Sequence, residues 1–91
     1  MKATGIKMMC NRDQSNNLLE IDEIYLFGNG YNGFYKKGFI YDYLMVYPGT
    51  IQVNIFLFPE CIPAKSPYGE KYVKSAPDSY SIDNLLNLPR F

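Results

Sequence analysis

All six prolines of this chain lie in its second half, at positions 48, 59, 63, 67, 77 and 89. Proline lacks a backbone N–H and fixes φ, so it is excluded from helix interiors and central strands. Everything after Tyr47 is thereby limited to short elements joined by turns, and longer elements fit only in the first half. The 91 residues make one domain, spanning 1–91, with a single small core.

In the first half, residues 3–9 mix β-branched and apolar side chains and predict a short strand. The polar run 11–17 reads as the loop of a hairpin. A second strand leaves that loop within residues 19–27, although its period of two is imperfect. Leu19, Ile21 and Glu23 share one face, while Asp22, Ile24 and Leu26 share the other. Gly28-Asn29-Gly30-Tyr31-Asn32-Gly33 reads as a flexible or tightly turned loop. Residues 36–47 satisfy two periods at once. As a helix, Ile40, Tyr43, Leu44 and Tyr47 form a stripe. As a strand, Phe39, Tyr41, Tyr43, Met45 and Tyr47 line one face, and the aromatic content favours that state.

Beyond Pro48-Gly49, residues 50–58 alternate Ile51, Val53 and Ile55 against Gln52 and Asn54, which predicts a strand stopped by Pro59. The segment holding Pro59, Pro63 and Pro67 reads as extended and irregular. Residues 70–75 read as a short strand with Tyr72 and Val73 on opposite faces, and Pro77-Asp78 as the start of a turn. Asp83-Asn84 reads as a cap or turn before the apolar ending.

Several functions are excluded at this level. The chain has no histidine, which removes Ser-His-Asp and Cys-His catalysis, the imidazole base and nearly all catalytic zinc patterns. Nine basic and nine acidic side chains argue against non-specific nucleic-acid binding through phosphate attraction. No apolar run reaches the roughly 18 residues of a membrane span, and residues 1–10 contain no secretory core, so the expected location is cytoplasmic. Cys10 and Cys61 sit far apart in no metal or redox motif, and read as reduced thiols with at least one in the core. Scarce Ala and Arg beside plentiful Asn, Ile, Tyr and Lys point to AT-rich codons, as in a low-GC bacterium or one of its phages.

Gly28-x-Gly30-x-x-Gly33 has the spacing of a dinucleotide-binding loop. That chemistry needs a helix at once and an acidic residue about twenty positions on. Here Tyr35-Lys36-Lys37-Gly38 delays any helix and the first acid is Asp42, so the turn reading prevails. Asp22, Glu23, Asp42, Glu60, Asp78 and Asp83 contain no evident acid–base pair and read as solvated charges and caps. Tyrosine is the surplus residue, with nine copies. Tyr31, Tyr35, Tyr41, Tyr43 and Tyr47 crowd one stretch, as a ring-built core or as an aromatic patch for a protein or a nucleobase.

The C-terminal residues carry a resemblance. Gly69-Glu70-Lys71-Tyr72-Val73-Lys74-Ser75-Ala76-Pro77-Asp78, followed by Asp83-Asn84-Leu85-Leu86-Asn87-Leu88-Pro89-Arg90-Phe91, resembles the ending of the DUF3892 family of small bacterial and phage proteins. That family typically ends in a KYVRS or KYVRT strand and a DNLL-x-LPR tail. Residues 50–59, Ile62-Pro63-Ala64 and Ser66-Pro67 also resemble its last strands. The chain departs from the pattern at Lys74, usually arginine, and in the Gly28–Gly33 loop, which looks like an insertion.

The resemblance implies a compact α+β domain with a helix before the Ile51 strand, and it turns residues 36–47 toward helix. It implies no activity, cofactor or metal site. Leu85, Leu86 and Leu88 are expected to pack back on the sheet, while Pro89 stops the tail from extending an edge. The expected fold is α+β, a mostly antiparallel sheet with one helix packed on it. The expected function is a non-enzymatic binding module acting on a protein partner through Tyr31, Tyr35, Lys36 and Lys37. A nucleotide-like small ligand held by the glycine loop, the two lysines and stacked tyrosines is the alternative, and a homo-oligomer is a further expectation.

Overall fold

Two extra residues, Thr4 and Asp22, set the geometry of the first hairpin in this computed structural model, which describes residues 1–77 and 82–91. Strand β1 (Lys2–Met8) pairs antiparallel with β2 (Ile21–Gly28). In register, Ala3 faces Leu26 and Gly5 faces Tyr25, so Thr4 is an extra residue; Lys7 faces Glu23 and Met8 faces Ile21, so Asp22 is another. Each bulge shifts the side-chain phase by one. That is why Ala3, Ile6 and Met8 are all buried, and Ile21 together with Ile24 and Leu26. The imperfect period of residues 19–27 is thus the signature of a bulge.

The glycine-rich segment is narrower than the expected loop. Only Asn29 and Gly30 turn, with φ of 51° and 86°, the doubly positive geometry of a two-residue hairpin turn. From Tyr31 the chain is already strand β3 (Tyr31–Lys36), paired antiparallel with β2. The helix α1 (Lys37–Val46) follows directly. It buries Ile40 and Leu44, leaves Asp42 exposed, and partly buries Tyr43. The helical stripe prevails over β propensity because this face closes the core. Tyr47 at its end is exposed rather than buried. The helix stops before Pro48, whose ring disfavours helical geometry at Tyr47.

The strand expected over residues 50–58 is a correction. Strand β4 is only Gln52–Val53, running parallel to the start of β1. The chain then turns, with the Val53 N–H donating to the Pro59 carbonyl at 2.8 Å. Further along β1 the same edge is taken by the C-terminal tail: Ile6 N–H donates to the Pro89 carbonyl and Phe91 N–H to the Ile6 carbonyl, both at 2.9 Å. With β1 occupied there, β4 has no partner to continue along. The tail therefore adds a parallel bridge at Arg90 where Pro89 was expected to prevent edge extension.

The proline segment is also more ordered than expected. Strands β5 (Cys61–Lys65) and β6 (Lys71–Ser75) form a separate antiparallel pair. Ala76 N–H donates to the Glu60 carbonyl and Ser66 N–H to the Glu70 carbonyl. That phase puts Pro63, opposite Val73, at a position whose N–H would point away from β6. Proline is tolerated there because it removes no ladder bond.

The main sheet has the order β3-β2-β1-β4. Helix α1 and the β5–β6 pair cover one face, giving an α+β architecture. The tail completes the core: Leu85, Leu86 and Leu88 are buried, as expected. Asp83 caps the short 3-10 turn Asn84–Asn87, accepting from Leu85 N–H, and also accepts from Ser75 N–H at 3.0 Å. The turn expected from Asp78 lies outside the described residues. No helix among those described is long and apolar enough to cross a membrane.

Candidate functional site

Alternation along β3 separates the four side chains expected to act together. Tyr31 and Tyr35 point to the helix side, Lys36 to the opposite side. The Tyr31 and Tyr35 rings meet edge to face at 5.4 Å between centroids. Tyr31 also meets Tyr43 at 5.8 Å, and Tyr35 stacks on Phe39 at 5.5 Å. Both tyrosines are half-buried against the core, so they line the seam between β3 and α1 and surface beside Phe39.

The two lysines are held by carboxylates. Lys36 Nζ reaches Asp22 at 3.1 Å, and this hydrogen bond holds its pKa above the usual lysine value. Lys37 Nζ donates to the Leu19 carbonyl at 2.6 Å and to Glu70 at 2.5 Å, with only 13% of its side chain exposed. Lys37 thus ties the start of α1 to the loop of the first hairpin and to the residue that precedes β6. The structure brings Tyr31 and Tyr35 together and sends Lys36 and Lys37 elsewhere.

The uncovered face of the main sheet carries a different constellation. The two bulges and the pleat put Lys2, Gly5 and Lys7 of β1, Tyr25 and Phe27 of β2, and Asn32 and Phe34 of β3 on it. Gly5 leaves a hollow that the Phe91 ring fills. Phe91 meets Phe34 at 5.7 Å, Phe34 meets Tyr25 at 5.1 Å, and the Tyr25 hydroxyl donates to Asn32. Lys7 Nζ lies 4.6 Å from the Phe34 ring centre and pairs with Glu23 at 3.8 Å. Towards the turn after β4, Lys2 Nζ lies 4.2 Å from the Phe58 ring, which meets Phe56 at 6.2 Å. Lys2 also stands opposite Phe27 in register. Phe27 is 58% exposed, Phe56 81%, Leu57 78% and Phe91 68%.

These residues escaped sequence reading. Tyr25 and Phe27 alternate in β2 and gave a usable signal, but Phe34 stood between the segment read as loop and residues 36–47, in no expected element. Nothing local marks Phe56 to Phe58 as a turn, or Phe91 as a lid on Gly5.

Cys61 is buried, and burial pushes its thiol up to about 12, so it is a packing residue; Cys10 is an exposed free thiol. Among the described residues no group of three or more His, Cys, Asp or Glu side chains could hold a metal ion. A shallow cleft of about 520 Å³ runs between Asn17, Leu18, Tyr72 and Leu86. There both carboxylate oxygens of Asp83 are already committed to backbone N–H groups.

A family model described as a protein of unknown function, DUF3892, matches residues 34–89. The match takes in α1, β4, β5, β6 and the leucine-rich tail, and it leaves β1, β2 and the Asn29-Gly30 turn ahead of it. No curated protein and no solved structure matches the chain.

Proposed function

The chain belongs to the DUF3892 family, and from that premise we propose that it is a small non-enzymatic binding module that engages a protein partner through the uncovered face of its main sheet. The observation that carries this reading is the run of rings and aliphatic groups from Phe91 and Phe34 through Tyr25 and Phe27 to Phe58, Phe56 and Leu57. Large apolar side chains held this far into water, in two ring clusters with Lys2 between them, favour a partner that covers them. Aromatic anchors are the residues that carry interface energy. Leu57 and the balanced charge of the chain favour a protein surface over a polyanion. Composition and the two unpaired thiols support a bacterial or phage protein of the cytoplasm.

A nucleotide-like ligand is the second reading, supported by the lysines that stand over rings at both ends, Lys2 at Phe58 and Lys7 at Phe34. Such a ligand would stack on the rings and pair its phosphates with the ammonium groups.

A photo-crosslinking side chain placed at Phe27 or Phe56 in cells tests the choice, with Asp42 on α1 as the control position. One protein captured at both face positions and not at Asp42, and lost when Phe58→Asp is added, is the expected result. Equal capture at Asp42, or a nucleotide retained through purification and released by Lys2→Ala, would overturn the protein reading.

A further inference from the structure

Strand β3 is an outer strand of the main sheet, paired among the described residues only with β2. The two-residue turn makes Gly28 and Tyr31 a hydrogen-bonded pair. Counting along the register, Gly33 and Tyr35 also bond inward to β2, and the backbone groups of Asn32, Phe34 and Lys36 point outward. The other edges carry the protections that natural sheets use. Strand β4 is two residues long and bridged by Glu60. Strand β5 contains Pro63, and β6 contains Lys71 and Lys74. Strand β3 has no proline, and its lysine lies at its last position.

We propose that β3 pairs antiparallel with β3 of a second copy, across a two-fold axis at Phe34, to make one sheet continuous through both chains. The sequence of β3 is self-complementary in this register. Phe34 pairs with the partner's Phe34, and Asn32 with the partner's Lys36, so the outward N–H groups of all three residues and the carbonyls of Asn32 and Phe34 gain partners, the Lys36 carbonyl accepts a second bond beside the one it takes from the first turn of α1, and no like charges stand opposite. Gly33 falls opposite the partner's Tyr35. A Cβ on Gly33 would meet nothing within 4 Å, so the space beside it is open to a ring from across the strand pair, and ring-over-glycine is a favourable cross-strand arrangement. On the uncovered face the Phe34 rings of both copies meet, each already packed on its own Phe91. The dimer would join the two aromatic faces, so it stands independently of what those faces bind.

Light scattering and amide exchange test this on the full chain. At high micromolar concentration the expected mass is twice the 10.5 kDa of one chain, with the Asn32 and Phe34 amides protected although no described residue of the same chain accepts from them; dilution should halve the mass and expose both amides. In a Cys10→Ser background, Phe34→Cys should oxidise to a covalent dimer, and Asn32→Cys should do so only when Lys36→Cys is added. A mass of one chain at all concentrations would overturn the proposal. So would a dimer with unprotected Asn32 and Phe34 amides, or equal cross-linking by Asn32→Cys alone.

Discussion

The Phe91 ring lies where a side chain on Gly5 would stand: a Cβ on Gly5 would fall 2.5 Å from Phe91 Cε2. Strand β1 and the last residue of the chain therefore shape each other. Gly5→Ala should expel the ring and cost about 1–3 kcal/mol. Phe91→Ala should remove most of that penalty, leaving a coupling of about 1 kcal/mol between the two sites in a double-mutant cycle of urea melts. Additive effects would show that the ring yields freely.

The leucine tail should behave as core. Leu85 and Leu86 are 0% and 5% exposed, and truncating either to alanine should cost about 2–4 kcal/mol. Chemical denaturation measures it, and unchanged midpoints for both variants would contradict the packing described here.

Lys36 and Lys37 should separate sharply despite being neighbours. Lys37→Met leaves the Leu19 carbonyl without its donor and should cost about 1–3 kcal/mol. Lys36→Ala breaks an ion pair at the surface and should leave the melt unchanged. Equal destabilisation by the two would mean that the Lys37 contacts to Leu19 and Glu70 do not persist in solution.

Cys61 should make stability fall at high pH. Its thiol is raised from 9.0 to about 12 in the folded chain, first by burial and then by the charges of Asp83 and Glu60. The folded state thus keeps its proton where the unfolded chain loses it. The stabilisation is complete below pH 9 and declines as pH rises from 9 toward 12. Other groups titrate in that window, so the measurement is the difference between wild type and Cys61→Val. The variant should show the shallower decline, and parallel curves would defeat the prediction. In native protein, iodoacetamide should modify Cys10 and spare Cys61.

Much of the architecture was legible because its causes are local. Residues 3–9 and 19–27 carry the β-branched and apolar content of strands, and Asp83 precedes its apolar run as a cap does. Ile40 and Leu44 lie four apart on the helix that buries them, although the rings around them prefer strands. Pro48 and Pro59 bracket β4, and Pro67 and Pro77 bracket β6. Beside these local cues, the resemblance at the C-terminus settled the one segment whose two periods conflicted.

What the chain does with its edges and faces was decided only in three dimensions. Residues 50–58 have the pattern of a full strand, but a strand needs a free neighbour, and the tail from Pro89 to Phe91 takes that part of β1. Pro63 looks fatal to a strand until the ladder phase turns its missing N–H outward. Bulges at Thr4 and Asp22 move whole rows of side chains between faces, and no single residue announces them. They place Tyr25, Phe27 and Phe34 on the uncovered side, while the pleat divides Tyr35 from Lys36. Composition could count the rings and the lysines, but which of them share a surface follows from register, a relation between distant segments that packing of the whole chain sets.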